Sequence, residues 1–137
     1  MKKGFTLIEL LVVILIISIL MALLMPTIVH MFCVGRESTA LTTIKDLELA
    51  LKAYNVDTNT YPAGDGVGSK TLIEALTKNM RKTGTPYYPD TVELDANGSL
   101  ASPVDITKPF NYKYPGTHNK TRFDIWTVNC DGVEDGL

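Results

Sequence analysis

The sequence predicts an α+β fold in which one long N-terminal helix carries a small head with an antiparallel β-sheet. Three observations support this prediction: an apolar run of membrane-spanning length, a helical periodicity that continues beyond it, and short strand patterns in the last third of the chain. The 137 residues, of which 45% are hydrophobic, leave room for one modest domain. A net charge of −2 without a basic stripe gives no indication of nucleic-acid binding.

The apolar run extends from Phe5 to Met25, and its only polar residues are Thr6, Glu9 and Ser18. As an α-helix the run is about 30 Å long, which matches the hydrocarbon core of a membrane. The alternative is a cleaved secretory signal peptide, but that has a shorter apolar core and a small-x-small cleavage site, which is absent here. Two lysines precede the run, so the positive-inside tendency predicts a cytoplasmic N-terminus and an external head.

The helical periodicity continues beyond the apolar run. An apolar residue recurs every three or four positions, which predicts an amphipathic stripe. Its members are Leu41, Ile44, Leu47, Leu51 and Tyr54. We therefore expect one helix over residues 5–55, kinked near Pro26 because a proline inside a helix removes one hydrogen bond. This organisation predicts a transmembrane helix at residues 5–29 and a head at residues 30–137.

The rest of the chain carries the patterns of a small α+β head. The segment KTLIEALTKNM predicts a short helix with one apolar side, formed by Leu72, Ile73, Leu76 and Met80. An Asp-Ala-Asn-Gly turn in TVELDANGSLAS and the patterns of PFNYKYPG and RFDIWTVNC predict three or four short antiparallel strands. The glycine-rich AGDGVGS lacks the Gly-Lys-Ser/Thr of a phosphate-binding loop, so we interpret it as a connector.

The N-terminal string KKGFTLIELLVVILIISIL resembles the class III signal of type IV pilins and type II secretion pseudopilins. In that family a prepilin peptidase cuts after the glycine, here Gly4, and methylates the new N-terminal residue, here Phe5. The resemblance therefore implies a leader at residues 1–4 and a pilin-like fold. Pro26 falls where the family has a helix-kinking proline, and the family glutamate, five residues into the mature chain, is Glu9.

Glu9 is the residue that the apolar run does not explain, because an unpaired carboxylate in hydrocarbon is costly. The resemblance implies a partner for it, the methylated amine of Phe5 in a neighbouring subunit. Burial between helices would strengthen this pair by lowering the local dielectric constant. The alternative is that Glu9 reaches the lipid headgroups from its place near the helix end.

The head resembles the major pseudopilins of type II secretion systems in the Tyr-Pro after the long helix, in DITKPFNYKYPG and in FDIWTVNCDG. It departs from their pattern by lacking Trp-Gly in the middle motif and the Gly-rich acidic loop near the end. Thr127 and Asn129 also replace a serine and a glycine of the last motif. In the family the two Asp of that motif are calcium ligands, which implies Asp124 and Asp131 here.

Calcium requires six to eight oxygens, and carboxylates beside an irregular loop supply them. A solvated acidic C-terminus without metal is the alternative for these two aspartates. Cys33 and Cys130 are the two cysteines of the chain, and two cysteines can pair in the oxidising periplasm. The sequence leaves this pairing open, since a disulfide needs Cα atoms within about 7 Å.

The resemblance implies a non-enzymatic subunit of the periplasmic pseudopilus of a type II secretion system. Expected partners are further copies of the chain in a filament, the prepilin peptidase, an inner-membrane assembly platform and minor pseudopilins. The chain is expected in the bacterial inner membrane as a single-pass protein with a periplasmic head, and then in the filament. A type IV pilin for adhesion, motility or DNA uptake and a membrane-anchored binding domain that never polymerises stay open. An enzyme is disfavoured because no base, nucleophile and orienting group occur together.

Overall fold

The computed structural model describes residues 4–118 and 120–136, so most of the expected leader lies outside the described residues. The chain divides between Gly35 and Arg36 into two compact units. The elements in chain order are α1 (Leu7–Thr58), β1 (Gly64–Asp65), α2 (Lys70–Lys78), β2 (Asn111–Tyr114), β3 (Asp124–Val128) and β4 (Glu134–Gly136). The predicted α+β class, with one long helix before a small antiparallel sheet, is confirmed.

The N-terminal unit consists mainly of the apolar part of α1. Every residue from 4 to 32 is exposed, although most of the side chains of this stretch are large and apolar. By length and composition, α1 is long and apolar enough to cross a membrane. The hydroxyl of Ser18 donates to the carbonyl of Ile14 at 2.7 Å, so this polar group is satisfied inside the helix. Pro26 lies within α1 and does not end it; the kink expected there stays a prediction.

The second half of α1 packs one face into the core of the head. Its buried residues are Ala40, Ile44, Leu47, Ala50 and Leu51. The predicted stripe is therefore confirmed at three of these positions, and its Tyr54 is partly buried against the core. It is wrong at Leu41, which is 44% exposed. Ala40 takes that place because it lies four positions before Ile44 and seven before Leu47, on the same side of a helix with 3.6 residues per turn.

The sheet has the order β1-β2-β3-β4, and every neighbouring pair is antiparallel. Its inner face contributes Tyr112 and Ile125 to the core, and Phe110, which directly precedes β2, joins them; all three are fully buried. The strands in PFNYKYPG and RFDIWTVNC were predicted, whereas β1 and β4 were not. At Gly64 of β1, any side chain would overlap the ring of Tyr112, so the pairing of β1 with β2 needs a glycine at this position.

The short helix α2 is confirmed, with Leu72, Ile73 and Leu76 buried. Met80 was predicted on the same face, but it lies beyond the end of α2 and is 59% exposed. The Asp-Ala-Asn-Gly turn also forms, with Gly98 in the left-handed region at φ 80°.

The strands expected on either side of this turn are reduced to a single bridge between Leu94 and Leu100. Two backbone hydrogen bonds flank this bridge, from the Asp95 N–H to the Ser99 carbonyl at 2.8 Å and from the Ala101 N–H to the Glu93 carbonyl at 3.1 Å. Side chains accept other N–H groups of this segment, so the pairing extends no further. Asp95 accepts the N–H groups of Asn97 and Ser99, at 2.9 and 2.8 Å. The N–H of Leu100 donates instead to the hydroxyl of Ser69 at 2.9 Å.

Tyr112 joins the sheet to the segment that follows α1, because its buried hydroxyl donates to the carbonyl of Pro62 at 2.8 Å. Burial raises the pKa of Tyr112, which keeps this donor protonated. We predict that Tyr112→Phe lowers the free energy of unfolding by about 1–3 kcal/mol, because the Pro62 carbonyl loses its donor.

This prediction is measured by denaturant unfolding of the full chain in detergent, followed by the fluorescence of Trp126, the single tryptophan. Tyr114→Phe is the matched control, since the described residues show no hydrogen bond to the Tyr114 hydroxyl. Equal losses of stability in the two variants would contradict the assigned role of the Tyr112 hydroxyl.

Candidate functional site at the start of the long helix

The first turn of α1 is closed by two polar side chains, those of Thr6 and Glu9. Oε2 of Glu9 accepts hydrogen bonds from the Thr6 N–H at 2.9 Å and from the Thr6 hydroxyl at 2.7 Å. The N–H of Glu9 in turn donates to the Thr6 carbonyl at 3.1 Å, with the Thr6 hydroxyl oxygen at 3.4 Å. This arrangement is a capping box, which satisfies backbone donors that a helix start leaves without partners.

Glu9 is therefore not an unpartnered acid at the start of an apolar helix. The signal for its first partner is present in the sequence as Thr-x-x-Glu before an apolar run, and the sequence interpretation missed it. A carboxylate in the first turn also interacts favourably with the positive end of the helix dipole. Among the described residues, Oε1 of Glu9 makes no hydrogen bond, so this oxygen can accept another donor.

Gly4 and Phe5 precede α1 in a non-helical segment. Gly4 has no neighbouring atom where a side chain would be placed, and Phe5 is 78% exposed. Phe5 also lines an open hollow on the helix surface together with Ile8, Glu9 and Val12. The peptide bond between Gly4 and Phe5 and the acid Glu9 are thus accessible on the same short stretch of chain.

The two predicted calcium ligands occupy different ends of strand β3. Asp124 is the first residue of β3, and its side chain is 11% exposed. Its Oδ2 accepts the N–H groups of Thr117 at 2.5 Å and His118 at 3.2 Å, and Nδ1 of His118 lies 3.4 Å away. Burial raises the pKa of Asp124, but the hydrogen bonds from the His118 and Thr117 N–H groups lower it more, and the result is below the ordinary value.

Asp131 lies in the turn between β3 and β4, and its side chain is exposed. The four residue steps of β3 alone cover about 13 Å, and Asp131 lies beyond them. Calcium holds its oxygens at about 2.3–2.6 Å, so one ion cannot bind both carboxylates. The extended backbone of β3 thus separates Asp124 from Asp131 in this structure, while calcium binding by either residue stays a prediction.

A side chain that the sequence interpretation did not single out reaches this turn. Oε1 of Glu37, on α1, accepts the N–H of Cys130 at 2.9 Å. Cys33 and Cys130 are each disulfide-bonded, and neither is a free thiol. Their pairing with each other, which the sequence left open, stays a prediction.

These features define a class of protein. A membrane-length helix with a capped, accessible N-terminus, whose second half packs against a small antiparallel sheet, is the architecture of a pilin-like subunit. Two comparisons agree with this class: a prokaryotic N-terminal methylation motif matches residues 1–25, and the model of type II secretion system protein G matches residues 28–137. The chain belongs to the protein G family of type II secretion systems.

Curated relatives support this membership over nearly the whole chain. The type II secretion system core protein G of Pseudomonas aeruginosa is 34% identical, covering 98% of this chain and 88% of the relative. The proteins of the same name from Aeromonas hydrophila and Vibrio cholerae are 39% and 30% identical and cover 96% and 98% of this chain. Both alignments span 85% of the relative.

The lowered pKa of Asp124 predicts a loss of stability in acid. The stabilisation is fully present above the unfolded-state pKa, about 3.9, and is lost as the pH falls through the lower folded-state value. We expect the free energy of unfolding to fall more steeply between about pH 5 and pH 3 in the wild type than in Asp124→Asn. The asparagine is the matched control because it keeps an oxygen for the Thr117 and His118 N–H groups without titrating. Parallel pH profiles for the two proteins would refute the prediction.

Proposed function

We propose that the chain is a structural subunit that is first inserted in the inner membrane and then assembles into a short periplasmic filament of a type II secretion system. The observation that carries the proposal is the exposed apolar surface of α1 from Leu7 to Val34, which continues into the helix that carries the head. In water such a surface is unfavourable at about 25 cal/mol per Å². Lipid covers it before assembly, and the helices of neighbouring subunits cover it in the filament.

Processing by a prepilin peptidase prepares the subunit for assembly. The accessible, non-helical Gly4-Phe5 bond and the matching methylation motif support cleavage there, followed by methylation of the new amine. The two lysines of the leader favour an orientation with the N-terminus in the cytoplasm and the head in the periplasm. An inner-membrane assembly platform and minor pseudopilins complete the proposed set of partners.

The capping box suggests how Glu9 serves both the helix and the filament. Oε2 stays with Thr6 and keeps the first turn closed, while Oε1 accepts the positive amine of Phe5 from a neighbouring subunit. A carboxylate has lone pairs on both oxygens, so the two roles are compatible. Pairing in a water-excluded environment is stronger than in water, and it sets the register between neighbouring helices.

We predict that the mature protein in membranes begins at a methylated Phe5. N-terminal peptide mass spectrometry of the protein from its native host measures this, and the same chain expressed without a prepilin peptidase is the control. A mature N-terminus at Met1 in the host would favour the anchored binding domain that never polymerises. An N-terminus beyond Met25 would indicate a cleaved signal peptide.

We predict that Glu9→Gln and Glu9→Ala insert normally into the membrane and both fail to form filaments. Glutamine is the informative variant, because its amide oxygen can still cap the helix through Thr6 while the negative charge is gone. Membrane fractionation measures insertion, and filament shearing with electron microscopy measures assembly. Normal filaments from Glu9→Gln would show that assembly needs the cap and not the charge.

Thr6→Val serves as the complementary variant, since it removes the hydroxyl that bonds to Glu9 and keeps the carboxylate. It should assemble better than Glu9→Gln if the charge is the main requirement.

A further inference from the structure

We propose that this head does not use calcium and that Glu37 and Asn129 hold its β3–β4 turn in place of a metal ion. The inference goes beyond the proposed function, which says nothing about a metal in the head. It rests on where the oxygens of this part of the chain point. A calcium site needs six to eight oxygens directed at one point.

Asp124 is engaged in a structural task. Its Oδ2 receives two backbone N–H groups and lies beside the ring of His118, so this oxygen is directed at donors of the head itself. The carboxylate fixes the segment at residues 117–118 to the start of β3. A cation at this oxygen would face the hydrogen atoms of Thr117 and His118 at short range.

The turn after β3 supplies hydrogen-bond donors for its own oxygen atoms. Oδ1 of Asn129 accepts the N–H groups of Asp131 at 3.1 Å and Val133 at 2.9 Å. The carbonyl of Asn129 accepts the N–H of Gly132 at 3.0 Å, and the carbonyl of Val133 accepts the N–H of Asn129 at 2.8 Å. Three oxygens that could have faced an ion therefore already face N–H donors.

Glu37 ties this turn to α1. The carboxylate oxygen accepts the Cys130 N–H at 2.9 Å, across 93 positions of the chain. Hydrogen bonds to a charged acceptor are stronger than those to a neutral one. The turn precedes β4, whose Glu134 pairs with Val128 and whose Gly136 pairs with Trp126. A contact that fixes the turn therefore also places the last strand of the sheet.

The test is thermal melting of the full chain in detergent, without reductant, followed by Trp126 fluorescence. Calcium chloride is compared with magnesium chloride at the same concentration and with a chelator. We expect the same melting midpoint for the wild type in all three conditions. A midpoint that rises in calcium alone and returns to the chelator value in Asp131→Ala would overturn the proposal.

Variants of Glu37 and Asn129 distinguish the loss of these specific hydrogen bonds from a general loss of stability. Glu37→Ala should lower the midpoint, and Glu37→Gln should lower it less because the amide oxygen still accepts the Cys130 N–H. Asn129→Ala should lower it as well, whereas Asn129→Asp keeps an acceptor and should retain most of the stability. Asp131→Ala is the matched control and should melt as the wild type. If Glu37→Ala and Asn129→Ala also melt as the wild type, these side chains do not hold the turn.

Discussion

The apolar surface of α1 is the constraint on which the rest of the chain depends. From Leu7 to Val34 large apolar side chains are exposed around the helix, and from Ala40 onward a single face is buried. A helix that is apolar all round needs lipid or other helices, whereas a helix with one apolar face needs one packing partner. The first part of α1 therefore depends on lipid or other helices around it, whereas the second part packs against the small sheet of the same chain. The boundary between these regimes lies at Gly35 and Arg36.

The head has strands of two to five residues, so backbone ladders supply few of its hydrogen bonds. Side chains take over much of this task. The buried hydroxyls of Ser69 and Ser99 each accept an N–H from the opposite segment, and the hydroxyl of Thr127 donates to that of Ser102 at 3.0 Å. These bonds are costly to break because a buried polar group without a partner carries its full desolvation penalty. In this small core, the hydrogen bonds of buried hydroxyls therefore compensate for the few backbone bonds that short strands supply.

Much of the fold was predictable from the sequence where periodicity carries the information. Ile44, Leu47 and Leu51 follow the period of a helix, and Phe110 and Tyr112 follow that of a strand. The strands Gly64–Asp65 and Glu134–Gly136 were not predictable, because their residues have low strand propensity and they form by pairing with strands already in place. Ala40 was missed because a small side chain gives no strong signal beside Leu41.

The functional residues also differ in how far the sequence predicts them. Gly4, Phe5 and Glu9 lie within a short motif, so their association is visible in the sequence, and so is the Thr-x-x-Glu capping box once it is considered. The bond from Cys130 to Glu37 joins residues 93 positions apart and leaves no local pattern. The spacing of Asp124 and Asp131 is equally visible, yet spacing along a strand does not give proximity, because each residue step adds about 3.3 Å.

Similarity to the protein G family therefore supports some properties of this chain more strongly than others. The helix and its assembly motif depend on many residues that alignments at 30–39% identity cover together. A metal site depends on the direction of a few oxygen atoms, and in this head Oδ2 of Asp124 is directed at two N–H groups. The same aspartate at the same place in a motif can thus act as a ligand in one chain and as a hydrogen-bond acceptor in another. In this head the acceptor role accounts for both the burial of Asp124 and its lowered pKa.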